Sequence, residues 1–371
     1  MKRYYLGLNV NGPSISECLF GRGSKGDLRE LNELLARKYR GTPILCKNGR
    51  SALTLALKAY LNGGDKIIVN GFTCYAVYEA VVGAGMTPIF ADINEKDLNF
   101  DIKTLEKLVA TPTGRGAKGI IVQNTLGNAV DMEKIEKFAR DHNLILIEDL
   151  AHSAGAKYYD GREVGTVGAA TVLSFGKDKA INTITGGVVI LRAPQKNEIE
   201  APFKTSKISE TLRARLYPLF CGICRGLNHV HLGGIMMRFF LATHLVEKSA
   251  DSRLDIRRKP PKFIAKIAIQ QIKSFHHRGQ PAIREFCLVK NRVEVLSKLR
   301  KAGYFFDALW YEKPVSPERY YKELKFPEKQ CPVAVEVASK IINLPKYYKS
   351  KDLNVAMSII KPYLVEDGDE Q

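Results

Sequence analysis

The chain has 371 residues, 45% of them hydrophobic and 26% charged, which is enough apolar material for a large buried core and excludes the disordered and fibrous classes. Lys and Arg number 57 against 39 Asp and Glu, a formal charge of +18, and such an excess points to an anionic partner. The excess is local, because residues 201–300 hold 20 Lys plus Arg, only 6 Asp plus Glu, and five of the seven histidines.

From residue 43 to 191, short β-rich runs alternate with helical stretches. Strands are predicted at 43–46, 66–70, 87–91, 118–123, 144–148, 170–175 and 188–191. Several are continuously apolar, which suits strands covered on both faces by crossover helices, so one seven-stranded, mostly parallel α/β sheet is expected. Helices are predicted at 51–61, opened by Asn48 and Gly49, and at 131–142, with Asp131 near the N-terminal turn. After Leu191 the alternation stops. Residues 201–262 are basic, partly apolar and end in an Arg-Arg-Lys-Pro-Pro breaker, which reads as an insert or bridge. Helices at 263–275, 283–300, 335–342 and 351–363, with an aromatic stretch containing Phe305, Phe306, Trp310 and Tyr311, complete a smaller α+β unit. The expected division is 1–200, 201–262 and 263–371.

Seven scattered cysteines and no basic-then-apolar leader lead us to expect a reducing, cytoplasmic setting. Cys221 and Cys224 form a lone CxxC. A zinc site would need a second Cys pair or a His pair at suitable spacing, a pattern that His229 and His231 do not complete, so structural thiols and no metal are expected. No apolar run reaches the ~18 residues that span a bilayer.

Three features could carry chemistry. Asp149 follows the apolar run 144–148, and the C-terminal edges of strands are where open α/β sheets hold ligands. It either caps a turn, as Glu148 also could, or faces a pyridinium nitrogen. Lys177 and Lys179, in Ser174-Phe175-Gly176-Lys177-Asp178-Lys179, lie at the end of another strand. They are either solvated surface cations or a source of one nucleophilic amine, each lowering the other's pKa. Asn48-Gly49-Arg50-Ser51-Ala52 opens the first core helix, where outward N–H groups and the helix dipole favour an anion such as a phosphate. Together these are the parts that hold pyridoxal phosphate: a phosphate anchor, an acid for the ring nitrogen and a lysine.

The ordered segments NGRSALTLAL, GDKIIVNGFTCYAVYEAVVGAGMTPIFADI, ILIEDLAHSAGA and GREVGTVGAATVLSFGKDKAINTITGGVVI resemble the DegT/DnrJ/EryC1/StrS family of pyridoxal-phosphate-dependent aminotransferases, dense over 42–191 and looser at CPVAVEVASKIINLPKYY. The resemblance implies the fold-type-I aspartate aminotransferase architecture and transamination of a keto sugar, usually nucleotide-linked, with glutamate as the expected donor. It implies Lys179 as the Schiff-base lysine and proton carrier, Asp149 as the partner of the ring nitrogen and His152 against the ring or its 3-hydroxyl. Ser174, Gly49, Arg50 and Ser51 fall at the phosphate. Where the family stacks an aromatic on the ring this chain has Cys74, leaving Phe72 or Tyr75 as substitutes, and the family's Asn-Tyr-Arg-like segment is not found. Retention of the lysine argues against the family's dehydratase branch. A homodimer is implied.

The stretch 212–246 mixes large apolar residues with four arginines and no acid. It reads as a buried helical pair such as a dimer contact, or as a membrane-surface element. Nucleic acid is the weaker explanation of the charge, since no recognition motif accompanies it. A catalytically idle relative binding membrane or nucleic acid through this insert is the rival reading.

Overall fold

The computed structural model describes residues 2–4, 12–192, 194–227, 230, 232–248, 252–277, 285–306, 310–344 and 350–365. Seven strands form the main sheet: β1 (Thr42–Cys46), β2 (Lys66–Asn70), β3 (Thr87–Ala91), β4 (Ala117–Gln123), β5 (Ile145–Asp149), β6 (Ala170–Ser174) and β7 (Gly187–Leu191). Their order is β1-β7-β6-β5-β4-β2-β3. Every pairing is parallel except those that β7 makes with β1 and β6. All seven lie within two residues of the positions read from the sequence, because runs such as Ile67-Ile68-Val69 and Val188-Val189-Ile190 are buried on both faces.

Helices cover both faces. One core contains Leu31 and Leu35 of the Lys25–Tyr39 helix, Ile135 and Phe138 of the Met132–Asp141 helix, and Ile264 to Ile272. The opposite core contains Leu53 and Leu57 of the Gly49–Tyr60 helix together with Ala334 and Val337 from the C-terminal part. The Gly49–Tyr60 helix is apolar nearly all round and correspondingly buried. The Ile264–Lys273 helix falls within the unit expected at 263–371 yet packs into the core beside the Lys25–Tyr39 helix.

Two expected helices are corrected. The stretch 283–300 does not form one helix: Glu285–Leu288 is a strand, and the helix begins at Arg292 because Asn291 caps it, accepting from Glu294 N (3.1 Å). The helix expected at 335–342 runs instead from Pro332 to Lys340, and the β-branched Ile341 and Ile342 start a strand, Ile341–Leu344, antiparallel to Glu285–Leu288. Val289, Val295, Leu299, Ile342, Ala356 and Ile360 form this unit's own small core. Its link to the main sheet is electrostatic as well as apolar: Asp92, just past β3, accepts from Val333 N (3.0 Å) and Ala334 N (2.9 Å) at the positive end of the Pro332–Lys340 helix.

The basic insert folds as two helices, Ile208–Leu227 and Gly233–Ala242, joined across Phe220 and Phe240 with ring centroids 4.5 Å apart. Cys221 and Cys224 are buried there, and burial raises both thiol pKa values. His229 and His231 lie outside the described residues. Among the described residues no cluster of three or more His, Cys, Asp or Glu could hold a metal ion, and no helix is long and apolar enough to cross a membrane.

Candidate active site

The sheet topology gathers the candidate residues on one edge. Asp149 is the last residue of β5 and Ser174 the last of β6, while antiparallel β7 begins with Gly187 directly opposite both Ser174 and Cys46. The start of the Gly49–Tyr60 helix is pressed onto this corner. A Cβ on Gly49 would lie 2.7 Å from Ser174 Cβ, and one on Gly187 would lie 2.5 Å from the Asn48 carbonyl carbon. Glycine at both places lets a helix N-terminus and the Ser174 hydroxyl share one cup, the arrangement a phosphate needs.

Beyond Ser174 the chain turns at Gly176, which sits between the Ser174 hydroxyl and the Lys179 stem. Asp178 takes a left-handed conformation (φ 66°), one that Asp tolerates better than most residues. The lysines on either side of it meet different surroundings. Lys177 donates to the Glu247 carbonyl oxygen and lies 4.0 Å from the centroid of Tyr217, facing the basic insert. Burial pushes its pKa down to about 8, with Arg213 assisting and Cys221, Glu247 and Asp178 opposing. The expected mutual depression of the two lysines is therefore not the cause.

Lys179 turns to the sheet edge. Its Nζ is 3.2 Å from His152 Nε2, and His152 Nδ1 accepts from Leu126 N at 3.2 Å. With Nδ1 taken by Leu126 N, Nε2 is the ring nitrogen that faces the lysine amine. A neutral lysine amine is the nucleophilic form. A lowered pKa would have drawn attention to Lys177, whereas position selects Lys179.

Asp149 is buried and accepts from Ala151 N at Oδ1 (3.0 Å). Burial raises its pKa, while that hydrogen bond and the Lys179 charge pull it down. Among the described residues no further donor reaches it, so its second oxygen suits a ring N–H. The neighbouring Glu148 is fully committed to structure, accepting from Tyr158 Oη (2.6 Å) and from the N–H groups of Gly165 (2.6 Å), Val167 (2.8 Å) and Gly168 (2.6 Å). Both acids therefore hold backbone: Asp149 caps the turn that follows it with one oxygen, and Glu148 gathers the 165–168 loop with both.

The remaining predicted residues divide. Ser51 is wholly buried, its N and Oγ donating to Asn48 Oδ1 (2.9 and 2.8 Å) and its Oγ accepting from Asp255 N (3.1 Å). Asn48 Nδ2 donates to Ser252 Oγ (2.9 Å), so an irregular segment of the insert closes over the helix start. The Arg50 guanidinium pairs with Glu79 at 2.5 Å on the next helix. Cys74 precedes the Tyr75–Gly83 helix and lies opposite Ser316 in a short parallel ladder. Tyr75 stacks on Tyr320 (4.1 Å, 10°) and Tyr78 (5.6 Å), and Phe72 meets Tyr311 edge-on at 5.3 Å. The aromatic that joins Lys179 and His152 is Trp310. The sequence shows it only as part of an aromatic run, with no local motif tying it to the site.

The model of the DegT/DnrJ/EryC1/StrS aminotransferase family matches residues 26–228, and the chain belongs to that family of pyridoxal-phosphate-dependent aminotransferases. It is similar to a pleiotropic regulatory protein of Geobacillus stearothermophilus, 26% identical over 83% of this chain and 80% of the relative. It is 37% identical to a GDP-perosamine synthase of Caulobacter vibrioides, over 39% of this chain and 38% of that one. Its fold is that of a DegT DnrJ EryC1 StrS aminotransferase from Brucella abortus, with a TM-score of 0.68, 20% identity and coverage of 96% and 94%.

Proposed function

We propose that this aminotransferase transfers an amino group from glutamate to a keto sugar, carried on a nucleotide, in the biosynthesis of cell-surface polysaccharide or amino sugars. The observation that carries the reading is the Lys179 amine 3.2 Å from His152 Nε2 at the sheet edge where the buried Asp149 ends its strand. The likeness to a GDP-perosamine synthase supports the sugar substrate. Bound pyridoxal phosphate supplies the electron sink and the temporary store of the amino group. Asp149 holds the proton on the ring nitrogen. The Gly49–Tyr60 helix start and Ser174 hold the phosphate. Lys179 takes a proton from the donor's alpha carbon, and the reverse half-reaction uses the same amine at the acceptor carbon. The test is amino transfer from glutamate across a panel of keto-sugar nucleotides. Amination of one of them by the wild type and by no Lys179→Ala sample supports the reading, and absence of transfer to any contradicts it.

The protein is expected to work as a homodimer in a cytoplasmic setting, and we propose that its helical insert rests on an anionic lipid surface. Leu232, Ile235 and Phe239 make an exposed stripe at helical spacing, 48%, 63% and 55% accessible, with Val230 at 59% and Ile223 at 39% nearby. Arg225 and Arg238 are exposed among them, and the stretch 212–246 contains no acid. Apolar residues at the headgroup boundary with arginines at anionic lipid fit this pattern. Sedimentation with phosphatidylglycerol vesicles, lost in Ile235→Glu/Phe239→Glu and at high salt, is the expected result. Absence of binding, or a change of oligomeric state in the variant, would assign the stripe to a protein contact instead.

A further inference from the structure

We infer that Trp310, contributed by the C-terminal unit, is the aromatic wall of the cofactor site and takes over the part that Cys74 cannot play. The inference rests on pyridoxal phosphate being held at Lys179. The indole stacks on His152 with ring centroids 5.0 Å apart and planes 25° off parallel, and the Lys179 amine lies 4.8 Å from its centroid. It therefore covers the two side chains that a lysine-bound pyridine ring has to meet. A flat apolar face at this place sheds water from the amine and offers π-density to a protonated ring.

The position is built into the fold. Asn343, fully buried, accepts from Trp310 N (2.5 Å) and donates to Trp310 O (2.9 Å), fixing the backbone from the Ile341–Leu344 strand. Just downstream, Thr73 N donates to Pro314 O (2.8 Å), and Val315–Ser316 pairs in parallel with Thr73–Cys74. The segment that leads away from Trp310 is thus stitched to the segment that lacks the aromatic. Tyr311 continues the wall, 6.4 Å from His152 and in edge contact with Phe72.

Trp310 is the only tryptophan in the chain, so its emission reports on this place alone. Pyridoxal phosphate would be titrated into the purified protein while the visible absorbance band and the tryptophan emission are recorded together. Emission that falls in step with the band, at one midpoint, is the expected result. Trp310→Ala should weaken cofactor binding about tenfold, and Trp310→Phe should restore most of it, as loss and replacement of one aromatic face predict. A band that forms with the emission unmoved, or Trp310→Ala binding as the wild type does, overturns the assignment and leaves the aminotransferase reading standing. No band at all would remove both. If Trp310→Ala does not fold, the wild-type emission decides the question by itself.

Discussion

At the scale of single residues, burial has opposite meanings for two neighbouring functions. Asp149 is raised by burial in the cofactor-free protein, so folding takes up a proton there and stability falls as pH rises from the unfolded carboxyl pKa through the folded one. Asp149→Asn removes that cost. The cofactor-free variant should be more stable than the wild type at pH 7 in urea unfolding, while losing at least a hundredfold in amino transfer. Equal or lower stability would show that the acid is satisfied without the cofactor. Lys177 has the reverse sign. Its pKa falls from the ordinary 10.5 to about 8, so the unfolded chain binds more protons between these values, and the lysine's contribution to stability rises with pH across that window. The stability difference between wild type and Lys177→Met should shift toward the wild type by about 2 kcal/mol from pH 7.5 to pH 10. A difference that stays flat with pH would mean the amine is solvated.

At the scale of elements, legibility followed how local each signal is. The seven strands could be read because each is a short apolar run between helices with their own stripe, and Asp149, Ser174 and Lys179 could be read because they follow such runs directly. The C-terminal unit was harder. The Glu285–Leu288 and Ile341–Leu344 strands stabilise each other from far apart in the chain, and each alone resembles the end of the helix beside it. Trp310 is tied to the site through Asn343, 33 residues away, a relation that no periodicity contains. Glu148 gives the complementary lesson: its part in a loop shows only when three backbone N–H groups converge on it. Glu148→Gln presents an amide to those donors and should cost about 3 kcal/mol by thermal or urea unfolding. A loss below about 1 kcal/mol would mean the loop finds other acceptors.

At the scale of the whole molecule, one edge of a mostly parallel sheet collects contributions from five parts of the chain: the start of the Gly49–Tyr60 helix, the end of β5, the end of β6, the beginning of β7, and the C-terminal unit through Trp310. The insert adds a sixth by closing over Asn48 and Ser51. This convergence explains why the resemblance in sequence is dense over the sheet and thin elsewhere, since the strand-end residues are fixed by the sheet while the covering segments are free to differ. The large positive charge is concentrated in residues 201–300, across the insert and the start of the C-terminal unit, leaving the reaction edge to a few buried groups. The central claim is that Lys179, and not the buried ammonium of Lys177, carries pyridoxal phosphate. It is tested most directly by the absorbance spectrum of the purified protein with pyridoxal phosphate, before and after borohydride, with Lys179→Ala and Lys177→Ala alongside. A visible band in the wild type and in Lys177→Ala, fixed by borohydride and lost in Lys179→Ala, is the predicted result. A band that survives in Lys179→Ala, or no band in the wild type, would contradict the account.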